Sequence, residues 1–176
     1  MQEYTLMVFT ENQTGLLQRV VTIFTRRHIN IKSLTTSQSS LEGIHRFTVV
    51  VDVTEDMVQK LVAQLERQVD VLKAFYYTNE ETVFQEVALY KVPTSIFSDG
   101  DLVEDLLRKH NARVLSIEPQ YVVIEKTGHP HETEHLLADL RNIGIYEFAR
   151  SGRVAIVKPM ERLNAYLKEL EQEALN

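Results

Sequence analysis

Cysteine and tryptophan are both missing from the 176 residues. The absence of cysteine removes disulfide staples, thiolate metal sites and a cysteine nucleophile, and it fits a reducing compartment. Glycine and proline are scarce, at 6 and 4. No Gly-x-Gly-x-x-Gly, Walker loop or Gly-x-Ser-x-Gly elbow occurs, so no nucleotide site or serine-hydrolase elbow is implied. Positive charge is also in short supply: 19 Lys and Arg against 25 Asp and Glu leave a net charge of −6. No basic cluster exceeds two residues, and a phosphate backbone would meet net repulsion, which argues against nucleic acid. No run approaches the ~18 apolar residues of a membrane span, and Met1-Gln2-Glu3-Tyr4 lacks the basic start of a signal peptide. A soluble, cytoplasmic protein with no membrane partner is expected. What is present, 44% hydrophobic and 25% charged residues, is globular in composition and long enough for one large domain or two small ones.

The hydrophobic period changes repeatedly along the first eighty residues. Tyr4 to Phe9 is a nearly unbroken apolar strand, stopped by the turn composition of Glu11-Asn12-Gln13-Thr14-Gly15. Leu16, Leu17, Val20, Val21 and Phe24 then recur at helical steps. Ile29 and Ile31 open an extended segment to Leu34, and Phe47, Val49, Val51 and Val53 alternate as a second strand joined to it in a hairpin. Thr54 is a candidate N-cap for a helix with Met57, Val58, Leu61, Val62 and Leu65 on its apolar face, ending near Gln68. Val69 to Tyr77 closes the unit, giving β-α-β-β-α-β, the ferredoxin-like pattern.

After a polar linker, Thr78 to Thr82, the order repeats. The reading is strand Val83 to Val92, helix Leu102 to His110, strands Ala112 to Ile117 and Tyr121 to Lys126, helix Pro130 to Ile143 and strand Ile145 to Ala149. Arg153 to Val157 would extend this second sheet as a hairpin. The expected fold class is therefore α+β with two ferredoxin-like (βαββαβ) domains, residues 1–78 and 83–158. A C-terminal amphipathic helix over 159–176 follows, with Leu163, Tyr166, Leu167 and Leu170 at helical spacing. That helix either docks on its own domain or meets a partner.

The stretch from Glu11 to Leu17 carries the clearest chemistry. Unpaired amides and the dipole at a helix N-terminus hold a small carboxylate without any basic side chain. Gly15 leaves the approach open, while Asn12 and Asn30 each offer a donor and an acceptor, suited to a zwitterion. The alternative is that Asn12 and Thr14 simply make the turn and the cap.

Val8-Phe9-Thr10-Glu11-Asn12-Gln13-Thr14-Gly15-Leu16-Leu17-Gln18-Arg19-Val20, followed by Phe24-Thr25-Arg26-Arg27-His28-Ile29-Asn30-Ile31-Lys32-Ser33-Leu34, closely resembles the ACT domain of acetolactate synthase (acetohydroxyacid synthase) small, regulatory subunits. Val69-Asp70-Val71-Leu72-Lys73 is similar to the strand that closes that domain, and Phe148-Ala149-Arg150-Ser151-Gly152 to the end of the family's second domain. The resemblance implies a non-catalytic chain that forms a homodimer through its ACT domains, with valine, leucine or isoleucine as effector between them. It implies a large catalytic partner, activated and made sensitive to feedback inhibition, on which thiamine diphosphate, Mg and FAD are expected, with no cofactor on this chain. Asn12, Gly15, Leu16, Leu17 and Asn30 map onto the amino-acid site. Which branched-chain amino acid is preferred is not readable, since one methylene is worth only ~1–3 kcal/mol. A stand-alone amino-acid sensor with another client is the alternative from the same class.

His131-Glu132-Thr133-Glu134-His135 matches the His-Glu-x-x-His pattern in which two histidines on one helical face ligate zinc and the glutamate is general base. A zinc hydrolase would also need a third ligand and a cleft. With Pro130 opening the helix and Leu136, Leu137 and Leu140 as its buried face, the histidines are expected on the solvated side. Arg150 either meets an acidic residue of a partner or caps a strand edge.

Overall fold

The computed structural model describes residues 1–98, 100–158 and, singly, 165, 168 and 172. It forms two compact units, Met1–Val83 with Arg153–Asn176, and Phe84–Gly152. Of the expected helix over 159–176 only residues 165, 168 and 172 are described, each of them helical; Leu163, Tyr166, Leu167 and Leu170 lie outside the described residues.

In the first unit, strand β1 (Gln2–Glu11), helix α1 (Leu16–Arg26), strands β2 (Ile31–Gln38) and β3 (Ile44–Val53), helix α2 (Glu55–Leu65) and strand β4 (Val71–Thr78) build an antiparallel sheet of order β2-β3-β1-β4. Tyr4, Leu6 and Val8 point to the helices with Phe47, Val49, Val51 and Val53, against Leu16, Val20, Ile23 and Phe24 of α1 and Val58, Leu61 and Leu65 of α2. Thr5, Met7 and Phe9 face the other way and are buried too. Both faces of β1 are covered, which is why it reads as a continuous apolar run. The buried stripe of α1 runs through Ile23 and leaves Leu17 exposed, a small rotation from the expected face.

Helix α2 starts as expected, with Thr54 Oγ1 accepting from the Met57 amide at 3.3 Å. It stops at Leu65 instead of Gln68, and Val69, expected in the closing strand, is an exposed turn residue. The cause lies in Asp70: its carboxylate is drawn inward to Arg19 at 2.5 Å and its carbonyl accepts from the Glu11 amide at 3.1 Å, so the strand begins only at Val71.

The second unit repeats the topology with β5 (Thr82–Pro93, starting in the first unit), a 3-10 turn over Thr94–Ser98, α3 (Gly100–Lys109), β6 (Arg113–Ile117), β7 (Tyr121–Gly128), α4 (Pro130–Ile143) and β8 (Glu147–Arg150), in the order β6-β7-β5-β8. Its core gathers Ala88, Tyr90, Val92, Val122, Ile124, Leu136, Leu137 and Leu140. The buried Tyr90 hydroxyl donates to the Thr133 carbonyl at 2.7 Å, satisfying the one polar atom of that ring. His28 after α1 and Asn111 after α3 both hold φ near +50°, the same left-handed corner at the same place in each repeat. Strand β9 (Val154–Val157) joins the second sheet as expected, but by pairing with β5, the strand that β8 also pairs with, and not as a hairpin with β8; Arg153 and Ala155 just before and within it are fixed by residues of the first unit, described below. No helix among the described residues is long and apolar enough to cross a membrane.

Candidate functional site

The loop between β1 and α1 is tied at its base and open at its tip. Asn12 N–H donates to Gly43 O at 3.0 Å, Gln13 N–H to Glu11 O at 3.1 Å, and Gln13 Nε2 to Glu11 Oε2 at 2.8 Å. Gly15 is the N-cap at φ 83°, ψ −5°, a conformation that costs an L side chain about 1–2 kcal/mol. Nothing lies within 4 Å of where its Cβ would sit, so the glycine is required by its backbone and leaves free room in front of it. No side chain caps α1 and no acidic residue stands in its first turn. The helix dipole is thus uncompensated by any side-chain cap or first-turn acid, while Arg19, one turn in, is neutralised by its ion pair with Asp70.

Asn12 and Gly15 are exposed beside this tip, Leu17 is 42% exposed, and Leu16 is buried in the core beneath it. Asn30 is exposed but elsewhere. Ile31 pairs with Val51, which pairs with Tyr4, so Asn30 sits level with the start of β1 while Asn12 lies past its end. Nine residues of strand at ~3.3 Å each separate them by roughly 30 Å along the sheet. One chain therefore brings together Asn12, Gly15, Leu16 and Leu17 but not Asn30. The residues past Gln38 that lead to Gly43 are at the Asn12 end, and β2 is an edge strand.

In the second unit His131 and His135 are exposed on α4 with ring centroids 6.1 Å apart, and His129 stacks on His131 at 5.7 Å. Glu132 is not placed as a base for them. Its Oε2 accepts the His129 N–H at 2.7 Å as a helix cap, and that bond outweighs burial and holds its carboxyl below the usual range. Among the described residues no group of three His, Asp or Glu is arranged to hold a metal ion. A groove of about 640 Å³ between α3 and α4 is lined by Leu106 and Ile143 with Asp105, Arg108 and Asp139, none of them anticipated from the sequence.

Arg150 lies against acidic residues of its own unit, with its Nη1 3.4 Å from the buried Glu86 and 3.7 Å from Glu134. The residue that sequence reasoning missed is Arg153. Only 5% exposed, it donates to Glu3 Oε1 at 2.5 Å, Thr5 Oγ1 at 2.7 Å and Asn79 Oδ1 at 2.9 Å. Burial raises the Glu3 carboxyl, but hydrogen bonds from Lys32, Arg153 and Asn79 prevail and bring it down to about 2. A second arginine so soon after the Arg-Ser-Gly stretch was the one available signal.

Tandem βαββαβ units, the first opening its leading helix from a left-handed glycine, define the class as a two-domain protein with an N-terminal ACT domain. Residues 6–73 match the family described as the AHAS small subunit-like ACT domain, and residues 85–159 match that described as the small subunit of acetolactate synthase. The acetolactate synthase small subunit of Bacillus subtilis (strain 168) is 36% identical over 148 residues, covering 84% of this chain and 86% of the relative. The probable acetolactate synthase small subunit of Archaeoglobus fulgidus is 32% identical over 156 residues, covering 89% and 97%. The crystal structure of the small subunit from Thermotoga maritima superposes with a TM-score of 0.82 at 25% identity, over 90% of this chain and 99% of that one. The chain belongs to the acetolactate synthase small-subunit family, regulatory subunits of an enzyme complex whose partner is a catalytic large subunit.

Proposed function

We propose that this chain is a non-catalytic subunit that activates a cytoplasmic, thiamine-diphosphate-dependent acetolactate synthase and confers feedback inhibition by valine, leucine or isoleucine. In this reading residues 1–78 form a homodimer and bind the amino acid, and residues 83–158 form the second ferredoxin-like domain. The uncapped N-terminus of α1 behind Gly15, with open space before it, is the observation that carries the reading. It favours a carboxylate over a neutral ligand. The separation of Asn12 from Asn30 supports a site made by two copies. Antiparallel pairing of two β2 edges sets the start of one β2 beside the end of the other, the end from which the Asn12–Gly15 loop opens. Such pairing also covers an otherwise open strand edge.

The test is reconstitution with the catalytic subunit of the same organism. Activity on pyruvate is expected to rise on adding this chain and to fall on adding one of the three amino acids, with calorimetric heat for that amino acid on the isolated chain. Asn12→Ala and Asn30→Ala should each weaken binding while the domain stays folded; unchanged affinity removes the site assignment. Heat without any effect on the catalytic subunit would turn the reading to a sensor with another client.

A further inference from the structure

The four residues Arg150 to Arg153 leave the second unit and enter the first, and each end is fastened by an arginine of its own. In the second unit, Ser151 N–H donates to Val87 O at 2.8 Å, and Ser151 Oγ accepts from Val87 N–H at 2.9 Å. Arg150 lies against Glu86 and Glu134. In the first unit, the guanidinium of Arg153 is held by Glu3, Thr5 and Asn79, and its N–H donates to Ser33 Oγ at 2.8 Å. Arg46, from β3, also donates through Nη2 to the carbonyl of Ala155, two residues on. Burying a guanidinium is costly unless every donor is met, so Arg153 holds one position only while β1, β2 and the end of β4 keep theirs.

Ser33 is the informative member of this set. It lies in β2 three residues beyond Asn30, on the far side of an irregularity where the β2–β3 register shifts between Ile31 and Ser33. Such an irregularity bends the strand and locally interrupts its ladder, so the backbone between Ile31 and Ser33 is not pinned by regular β2–β3 pairing. A ligand that grips Asn30 acts directly on the segment that carries the acceptor of Arg153 N–H. From Arg153 the chain reaches Ser151, and so Val87, through the single residue Gly152.

We propose that Arg150–Arg153 is a transmission segment, with Arg153 as a positioning residue, through which amino-acid occupancy at the start of β2 alters the second unit and hence the catalytic partner. The inference deepens the proposed regulatory reading and rests on it. Arg153 touches neither the effector nor reacting atoms; it converts a displacement of Ser33 into a displacement of Ser151.

The experiment uses the full chain reconstituted with its catalytic subunit, with valine, leucine and isoleucine as probes. A Gly-Ser insertion between Ser151 and Gly152 leaves both arginine sites intact and makes the connection slack. Effector affinity by calorimetry and stimulation of activity are expected to stay within about twofold of the parent, while the concentration for half-maximal inhibition rises about tenfold or more, the size of an ordinary allosteric coupling. Arg153→Lys, which keeps the charge but not the simultaneous reach to Glu3, Thr5 and Asn79, should show a smaller shift of the same kind. Binding of the catalytic subunit should change effector affinity in the parent chain and not in the insertion variant, since coupling is reciprocal. Inhibition at parental concentrations in the insertion variant overturns the proposal. So does loss of effector binding in parallel with inhibition in both variants, which would show a purely structural role. A parent chain that neither binds nor responds to any of the three amino acids refutes the regulatory reading first, and this inference with it.

Discussion

Replacing Glu3 by glutamine keeps an acceptor for Arg153 and removes the charge. The carboxylate accepts from Lys32 at 2.7 Å, Asn79 at 3.0 Å and Arg153 at 2.5 Å, and its side chain is 23% exposed. Its pKa is about 2 in the fold against 4.5 ordinarily. A lowered pKa means that the native state binds fewer protons than the unfolded chain. The stabilisation is therefore complete above pH 4.5 and is lost as pH falls through about 2. At ~1.4 kcal/mol per unit the shift corresponds to about 3 kcal/mol, trimmed by partial exposure to roughly 2–3. For a chain of this length that is a fall in Tm of roughly 5–10 °C at pH 7. Thermal unfolding followed by circular dichroism from pH 7 to pH 2 should show the gap between parent and Glu3→Gln closing steadily below pH 4.5. Equal Tm values at pH 7, or a gap that does not narrow in acid, would refute the electrostatic account of the Arg153 site.

Gly15→Ala meets no atom within 4 Å but must hold φ 83°, so a loss of about 1–2 kcal/mol is expected by denaturant unfolding, together with weaker calorimetric binding of the amino acid. His28→Gly should act in the opposite direction: the exposed imidazole is held at φ 54°, and relief of that strain, less the added unfolded-state entropy, is worth up to about 1 kcal/mol. Glu132→Ala removes the cap on the His129 amide and should cost about 1 kcal/mol at neutral pH, a difference that shrinks in acid as the parent carboxyl, held below its usual pKa, becomes protonated. Stoichiometric zinc is not expected after dialysis in the parent or in His131→Ala; zinc retained by the parent and lost in His131→Ala would revive the metal reading of His131 and His135.

Elements governed by their own residues were readable, and those governed by distant partners were not. Helix α4 begins and ends where expected because Pro130 sets its first turn, Glu132 caps it and Gly144 stops it at φ 126°. Strand β1 was legible because both its faces are buried. The start of β4 was not, because Asp70 answers to Arg19 and Glu11, more than fifty positions earlier, while Val69 reads locally as a strand residue. Arg153 is the extreme case. Its acceptors Glu3, Thr5, Ser33 and Asn79 stand 74 to 150 positions away, so nothing near it in sequence marks it as buried.

The candidate site divides along the same line. Gly15 and Asn12 belong to one loop, and the chemistry of an uncapped helix is visible from their order alone. Asn30 could be placed beside them only by ignoring register: the crossover through α1 returns the chain to the start of a strand parallel to β1, with β3 between them. In this topology the residue entering β2 always lies at the opposite end of the sheet from the residue leaving β1. A ligand that touches both must bridge two molecules, so in the proposed dimer each binding event adds contacts across the β2 edges. Amino-acid affinity and subunit association are then linked, and each strengthens the other. The same edge carries Ser33, which places the acceptor of the Arg153 amide on the strand where that linkage is felt.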